Sequence, residues 1–448
     1  MSPVTDTIAA IATAPGRGGI GVLRISGPAA ANVAAALAGT PPQPRLAVLR
    51  DFRDDAGTVV DRGLILYFPA PHSFTGEDVI ELHGHGGPVL LQMLLQAACA
   101  AGARPARAGE FSERAFVNGK LDLTQAEAIA DLIDAGSRSA VRAASRALHG
   151  EFSAQIHALV EALISLRADL EAALDFADED VPWLSGDQLA TRIQALIDAV
   201  ATLRRKAGQG RRLRDGMTIV IAGRPNVGKS TLLNRLAGTD AAIVSPLAGT
   251  TRDVLREHLV LDGLPLTVLD TAGLRETDDP IEREGVRRAW AAVREAELAL
   301  FVADDSTGLT ADDQALLAQL PEGLPVLRVQ NKCDLSGRAT GLGEDDGAAV
   351  LRLSAATGVG LDALSAEIRR RAGLTEGDAD TFTAQARHLD ALRIAAEHLD
   401  RALSWAGSHP ELIAEELRLT QDALNTITGA FTTEDLLGRI FSRFCLGK

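Results

Sequence analysis

Cysteine is scarce in this chain, and none of it is spaced for chemistry. Cys99, Cys333 and Cys445 are the three thiols of 448 residues, without metal-ligand or disulfide-framework spacing. An odd, sparse set suits free thiols in a reducing cytosol, so a cytoplasmic protein is expected. No apolar run reaches the ~20 residues of a membrane span, so no membrane partner is expected. The N-terminal apolar stretch has no basic segment ahead of it, which argues against a secretory leader. Internal repeats and low-complexity tracts are also missing. Positive charge is in the minority: 45 Lys and Arg against 60 Asp and Glu leave a net charge of −15. That argues against indiscriminate binding of nucleic acid while leaving room for a local RNA-binding patch. The one basic cluster is Arg204, Arg205, Lys206, Arg211, Arg212 and Arg214. It either touches phosphate or is the solvated linker ahead of a domain.

The remaining composition, 46% hydrophobic and 23% charged, is that of a chain with real cores. Its length suggests roughly three domains. Residues 20–25, 63–68 and 78–83 read as strands and 88–101 as a helix, an α+β unit over 1–118. From about residue 121 the chain turns rich in Ala, Leu, Glu and Arg and lacks proline up to 175, which predicts long helices. Ile156, Leu159, Leu163, Leu166, Leu170 and Leu174 mark one apolar helix face. A further helical stretch is expected at 187–206. Short β-like runs at 218–222, 266–269, 299–302, 326–329 and 350–353 then alternate with helical segments. Such alternation predicts a parallel sheet with helices on both faces. Helices return at 384–406, 411–428 and 433–444. One helical domain interrupted by an α/β insert is the economical arrangement; two separate helical domains are the alternative. The fold class is thus multidomain, α/β and α, divided as 1–118, 119–210, 211–375 and 376–448.

Three motifs carry the chemistry. Residues 223–230 (GRPNVGKS) match GxxxxGK[ST] between a strand and a helix. Glycines there let backbone N–H groups converge on phosphate, and the following helix adds its positive end. Lys229 can reach the β- and γ-phosphates, and the Ser230 hydroxyl can ligate Mg²⁺. Residues 270–273 (DTAG) end the next clear strand: Asp270 can hold Mg²⁺, and the Gly273 N–H can sense the γ-phosphate. Residues 331–334 (NKCD) follow a later strand. The Asp334 carboxylate can accept from guanine N1–H and the exocyclic amine, a donor pair that adenine lacks, so GTP is selected. Ser354 and Ala355 complete the guanine pocket in this reading, and Cys333 is a bystander. Thr251, in the run 249–253 (GTTRD), is the expected switch threonine that joins Mg²⁺ when the γ-phosphate is present. GTP contacts are expected along Asn226, Val227, Gly228, Lys229, Ser230 and Thr231, along Ser245, Pro246, Leu247, Ala248, Gly249, Thr250 and Thr251, and at Asp270, Thr271, Ala272, Gly273, Asn331, Lys332, Asp334, Ser354 and Ala355.

Ras-like GTPases carry a water-positioning Gln just after DxxG, where this chain has Leu274. Leucine cannot orient water. Asn226 offers another route, because its side-chain oxygen could help hold a monovalent cation beside the phosphates. A loop Asn chosen for its turn preference is the plainer reading.

Beyond these motifs the chain resembles the MnmE (TrmE) family of tRNA-modification GTPases over essentially its full length. The specific residues are 249–253, then 109–123 (GEFSERAFVNGKLDL) followed by 124–131 (TQAEAIAD), and the C-terminal 444–448 (FCLGK). The resemblance implies an N-terminal domain that dimerises and binds a tetrahydrofolate one-carbon donor, 5-formyl- or 5,10-methylene-tetrahydrofolate. It implies a discontinuous helical domain and an inserted GTPase domain. It further implies a homodimer that works with the FAD-dependent partner MnmG (GidA), in a heterotetramer or larger complex, at C5 of the wobble uridine of certain tRNAs, with K⁺-stimulated hydrolysis. Carried over by position, Asn226, Ser245, Leu247 and Thr250 are the K⁺ ligands, and Leu247 could give only a carbonyl. Glu282, in 281–285 (IEREG), matches the catalytic glutamate that positions water indirectly. Arg24, Glu81, Lys120 and Lys448 are the folate positions. Cys445 is a candidate nucleophile near the folate, although no local base is visible for it. Glu81, His83 and His85 share one strand face, which could also suggest a metal site; the resemblance makes Glu81 a folate contact instead. A ribosome-assembly GTPase switch is the competing reading, and no KH-type GXXG loop stands out after residue 375 to support it. A scaffold with a degenerate site is opposed by the intact Lys229, Ser230, Asp270 and Asp334.

Overall fold

Alternating residues build the first sheet. A computed structural model describes residues 6–175, 186–239, 256–270, 293–345, 347–374, 381–430, 434–442, 444 and 447. In it β1 (Ile8–Ile11) and β2 (Gly18–Ser26) are followed by α1 (Ala30–Ala38), β3 (Val48–Arg53), β4 (Val59–Phe68), β5 (Val79–Gly86), α2 (Pro88–Ala100) and β6 (Arg104–Pro105). The strand order is β3-β4-β5-β2-β1-β6, antiparallel except where β1 meets β6. Leu23, Ile25, Ile65, Ile80 and Leu82 share a core with Val33, Leu37 and Leu94 of α1 and α2. Because strand side chains alternate, the opposite face receives Arg24, Glu81 and His83, and Arg24 stands directly across from Glu81 in the β2–β5 register.

Helices follow: α3 (Glu110–Val117), α4 (Leu123–Asp134), α5 (Arg138–Leu148), α6 (Glu151–Asp175) and α7 (Gly186–Asp215). The helical stretch expected over 121–175 is cut in two places, where Gly136 and Gly150 stand; Gly150 takes φ +84, a helix-ending conformation. The basic cluster is not a linker. Its residues lie in the last turns of α7, and three of them are matched by acids: Arg211 with Asp215, Arg212 with Glu297 and Arg214 with Asp131.

The second sheet contains β7 (Met217–Ala222), then after α8 (Lys229–Thr239) β8 (Arg256–Leu261), β9 (Leu264–Asp270) and β10 (Leu298–Asp304). After α9 (Ala311–Leu317) come β11 (Val326–Asn331), α10 (Cys333–Ser336), β12 (Gly341–Asp345), β13 (Ala348–Arg352) and α11 (Leu361–Arg371). The described order is β12-β13-β11-β10-β7-β9-β8. The interior pairs are parallel, as expected, and their strands are apolar on both faces. The edge strands β8 and β12 were not foreseen and run antiparallel. Each lies next to its neighbour in sequence, so a tight turn suffices; between β8 and β9 that turn is Asp262–Gly263, with φ +46 and +85.

The chain ends in α12 (Ala386–Ser404), α13 (Pro410–Thr428) and α14 (Glu434–Phe441). It forms two compact units: Met1–Ala130 with Leu148–Leu189 and Arg401–Lys448, and Asp131–Ala147 with Ala190–Asp400. Within the first, α6 packs on α13. Ile156, Leu159, Leu163, Leu166 and Leu170 are buried as the periodicity predicts. Phe441 meets Phe116 of α3 and Phe444 at 6.3 and 5.3 Å between ring centroids. No helix among the described residues is long and apolar enough to cross a membrane.

Candidate functional site

The phosphate loop runs from the end of β7 into α8, so backbone N–H groups at the helix start face the loop. Asn226 holds φ +64, a left-handed conformation that Asn tolerates better than most side chains. Asn226, Ser230 and Thr231 are exposed at this end of the helix. The Lys229 ammonium lies back over the loop and donates to the carbonyls of Gly223 at 2.7 Å and Arg224 at 2.8 Å. The next loop residue is anchored as well: Arg224 donates to Asp313 at 2.9 Å. Asp313 belongs to a capping box with Thr310 at the start of α9. Burial alone would raise the Asp313 pKa, but bonds from Thr310 and the Arg224 charge outweigh it and hold the carboxyl low.

The NKCD turn at 331–334 is joined to this loop by Asn331. Its buried amide donates from Nδ2 to the Val227 carbonyl (2.8 Å), and its Oδ1 accepts from the Ala355 N–H (2.8 Å). One side chain therefore holds the phosphate loop, the NKCD turn and the Ser354–Ala355 segment together. Lys332 sits at φ +68 and its ammonium meets Asp304 at 2.7 Å. Burial pushes the Asp304 pKa up, yet the bonds from Lys332 and Ser306 leave it net lowered. Asp334 is the second residue of the short helix α10, and it is exposed. Cys333 is buried, and burial together with the nearby Asp334 and Asp305 charges raises its thiol pKa. Arg235 of α8 donates to the carbonyls of Ala355 (3.2 Å) and Ala356 (2.7 Å). Arg235, Asp304 and Asp305 escaped the sequence reading, since nothing in their spacing relates them to the motifs.

Residues Ser245, Pro246, Leu247, Ala248, Gly249, Thr250 and Thr251 lie outside the described residues, as do Thr271, Ala272, Gly273, Leu274 and Glu282. Asp270 is placed by its backbone, paired with Ile221 at the end of β9, while its side chain lies outside. Among the described residues no cluster of His, Cys, Asp and Glu could hold a metal ion. The Ser230 hydroxyl, exposed beside Lys229, is of the hard-oxygen type that suits Mg²⁺, and the exposed Asn226 amide is of the type that suits K⁺.

A second cluster sits on the N-terminal sheet. The Arg24 guanidinium lies 5.7 Å from the ring centroids of both Phe74 and Phe111. It donates to Glu81 at 2.9 Å and to the Gly447 carbonyl at 3.2 Å. The chain's C-terminal tail thus reaches the β2–β5 face. The other Glu81 oxygen meets His83 Nε2 at 2.9 Å. Burial pushes the Glu81 pKa up, but His83 and Arg24 together outweigh it, so the group stays ionised below the ordinary carboxylate range. Lys120 donates to the Pro71 carbonyl at 3.0 Å, on the loop that carries Phe74. His85 is engaged with Asp61 at 2.7 Å rather than with Glu81 or His83, so the three do not converge on a common point. Cys445 and Lys448 lie outside the described residues.

Two family models match the chain: the GTP-binding protein TrmE N-terminus over residues 7–120 and the MnmE helical domain over residues 123–445. A protein named tRNA modification GTPase MnmE from Stutzerimonas stutzeri is 54% identical over 456 residues, covering 100% of both chains. Its namesake from Methylococcus capsulatus is 55% identical over 448 residues, again with 100% of both covered. The Sodalis glossinidius protein of that name is 53% identical over 451 residues and 99% of each.

Proposed function

The chain belongs to the MnmE family of tRNA modification GTPases and is a GTP hydrolase, and from that premise we propose how its residues divide the work. The loop 223–230 cradles the phosphates, with Lys229 on the β- and γ-groups, and Asp334 selects guanine. The observation that carries this reading is the Asn331 clamp, which holds the phosphate loop and the base-reading turn as one piece. Mg²⁺ would be held by Ser230 and Thr251, with Asp270 nearby. K⁺ would be held by Asn226, Ser245, Leu247 and Thr250. The ions supply neutralisation of phosphate charge. With Leu274 unable to orient water, Glu282 positions it indirectly.

The N-terminal residues 1–118 form the folate domain, in which Arg24, Glu81, Lys120 and Lys448 meet a tetrahydrofolate one-carbon donor. The Arg24–Glu81 pair, with rings beside the guanidinium and the C-terminal backbone against it, supports that reading. Cys445 acts beside the folate and not in GTP hydrolysis. Residues 119–210 and 376–448 make one helical domain into which 211–375 is inserted. The protein works in the cytosol as a homodimer with MnmG (GidA), on the wobble uridine of certain tRNAs.

Nucleoside analysis of tRNA from cells lacking this protein tests the proposal. Loss of the C5 modification of the wobble uridine is expected. Unchanged nucleosides alongside a defect in ribosome assembly would instead point to a binding switch.

A further inference from the structure

Asp334 stands on α10, a single turn that is too short to fix its own direction. Its first end is held by Lys332 on Asp304 and by the Cys333 N–H on the Leu353 carbonyl. Its last residue, Ser336, donates its hydroxyl to Asp305. The Asp305 side chain is fully buried just beyond β10. Its Oδ1 makes no hydrogen bond but faces Arg352 Nε at 3.5 Å and Arg338 Nη1 at 3.6 Å. Arg352 comes from β13 and lies across the edge strand β12, where a Cβ on Gly343 would stand 2.6 Å from its Nη1. A buried carboxylate is expensive to keep unless it is paired, so this arrangement calls for a task.

We infer that Asp305 is a positioning residue for base selection: backed by the Arg352 charge and acting through Ser336, it fixes the direction in which the Asp334 carboxylate meets guanine. The inference rests on Asp334 reading the base. A carboxylate that accepts two parallel hydrogen bonds depends on orientation; a small swing of α10 keeps one bond and loses the other. Loosening Asp305 therefore harms a base offering both N1–H and the exocyclic amine more than one offering N1–H alone.

The test is calorimetric titration of the full chain with GDP and with inosine diphosphate, which lacks the exocyclic amine. Asp305→Asn is expected to weaken GDP by about tenfold and inosine diphosphate by less than about twofold, as loss of a single charge-assisted bond implies. At saturating GTP the kcat should hold while KM rises. Gly343→Ala is the second variant. Its backbone lies outside the left-handed region and its only close neighbour is the free end of Arg352, so the fold should persist while the guanidinium moves. It should shift the GDP preference in the same direction. Equal weakening of both nucleotides, or an unchanged preference in the two variants, overturns the inference; if Asp305→Asn does not fold, Gly343→Ala decides. Asp334→Asn separates the two layers. If it leaves the preference intact, the reading of Asp334 fails; if it abolishes the preference while Asp305→Asn and Gly343→Ala do not, only the role of Asp305 fails.

Discussion

Gly228 and Asn331 approach so closely that a Cβ on the glycine would lie 2.3 Å from the asparagine Nδ2. The glycine also takes φ +98, which side chains rarely adopt. Two motifs that look independent in sequence are therefore one joint. The second glycine of the phosphate loop leaves room for the amide of the NKCD turn, and that amide in turn holds the loop through the Val227 carbonyl.

Asn331→Ala should break this joint. It leaves the Val227 carbonyl and the Ala355 N–H without their partner, at a cost of about 2 kcal/mol or roughly thirtyfold in GDP affinity. Gly228→Ala should be worse, since strain and collision add. Titration with a fluorescent guanine nucleotide checks both, and an Asn331→Ala chain that binds GDP like the wild type would show that the clamp is dispensable.

Turnover of GTP should be faster in K⁺ than in Na⁺ at equal ionic strength if Asn226 and its expected co-ligands hold a cation. Phosphate release measured in the two salts decides, and equal rates would remove the cation site. Glu282→Ala should abolish turnover while GTP affinity is retained, because a residue that positions water takes no part in ground-state binding. Normal hydrolysis by that variant would exclude Glu282 from the site.

Folate binding should depend on Arg24. Arg24→Ala removes one of the two partners described for Glu81, leaving His83, together with the donor to the Gly447 carbonyl. Affinity for 5-formyl-tetrahydrofolate should fall at least about tenfold, the scale of one charge-assisted bond. Calorimetry on the full chain reads this, and no heat from the wild type would count against a folate site.

Acid should loosen the N-terminal unit through Glu110. This buried carboxylate accepts from Arg104 at 2.9 and 2.5 Å, from the Arg107 N–H at 2.8 Å and from Arg114 at 3.1 Å. Burial alone would raise its pKa, but those bonds prevail and bring it from 4.5 to about 2. Since the folded value lies below the unfolded one, the stabilisation is complete above pH 4.5 and disappears as pH falls towards 2. It amounts to about 3 kcal/mol. Thermal melting followed from pH 6 to roughly pH 2 should show this loss. Glu110→Gln should lower the melting temperature at neutral pH and flatten that part of the profile. A variant melting like the wild type across the range would contradict the assignment.

Local sequence patterns are enough to pick out the motifs at 223–230 and 331–334 and most of the interior strands and helices. Those features are local: a loop of 223–230 needs its glycines within a few residues, and the α6 stripe needs only helical spacing. The alternation in β5 likewise sufficed to put Glu81, His83 and His85 on one strand face. Tertiary structure decided what those residues touch. Asn331 reaches Val227 across a separation of 104 positions, and Arg24 reaches Gly447 across 423. Neither spacing leaves a periodic trace, because the parallel sheet sets the first contact and packing of the C-terminal aromatics on α3 accompanies the second. The edge strands β8 and β12 and the Asp305–Arg352 pair were hidden for the same reason. An edge strand owes its place to its neighbour rather than to its own pattern, and a buried charge is recognised only once the fold has closed around it.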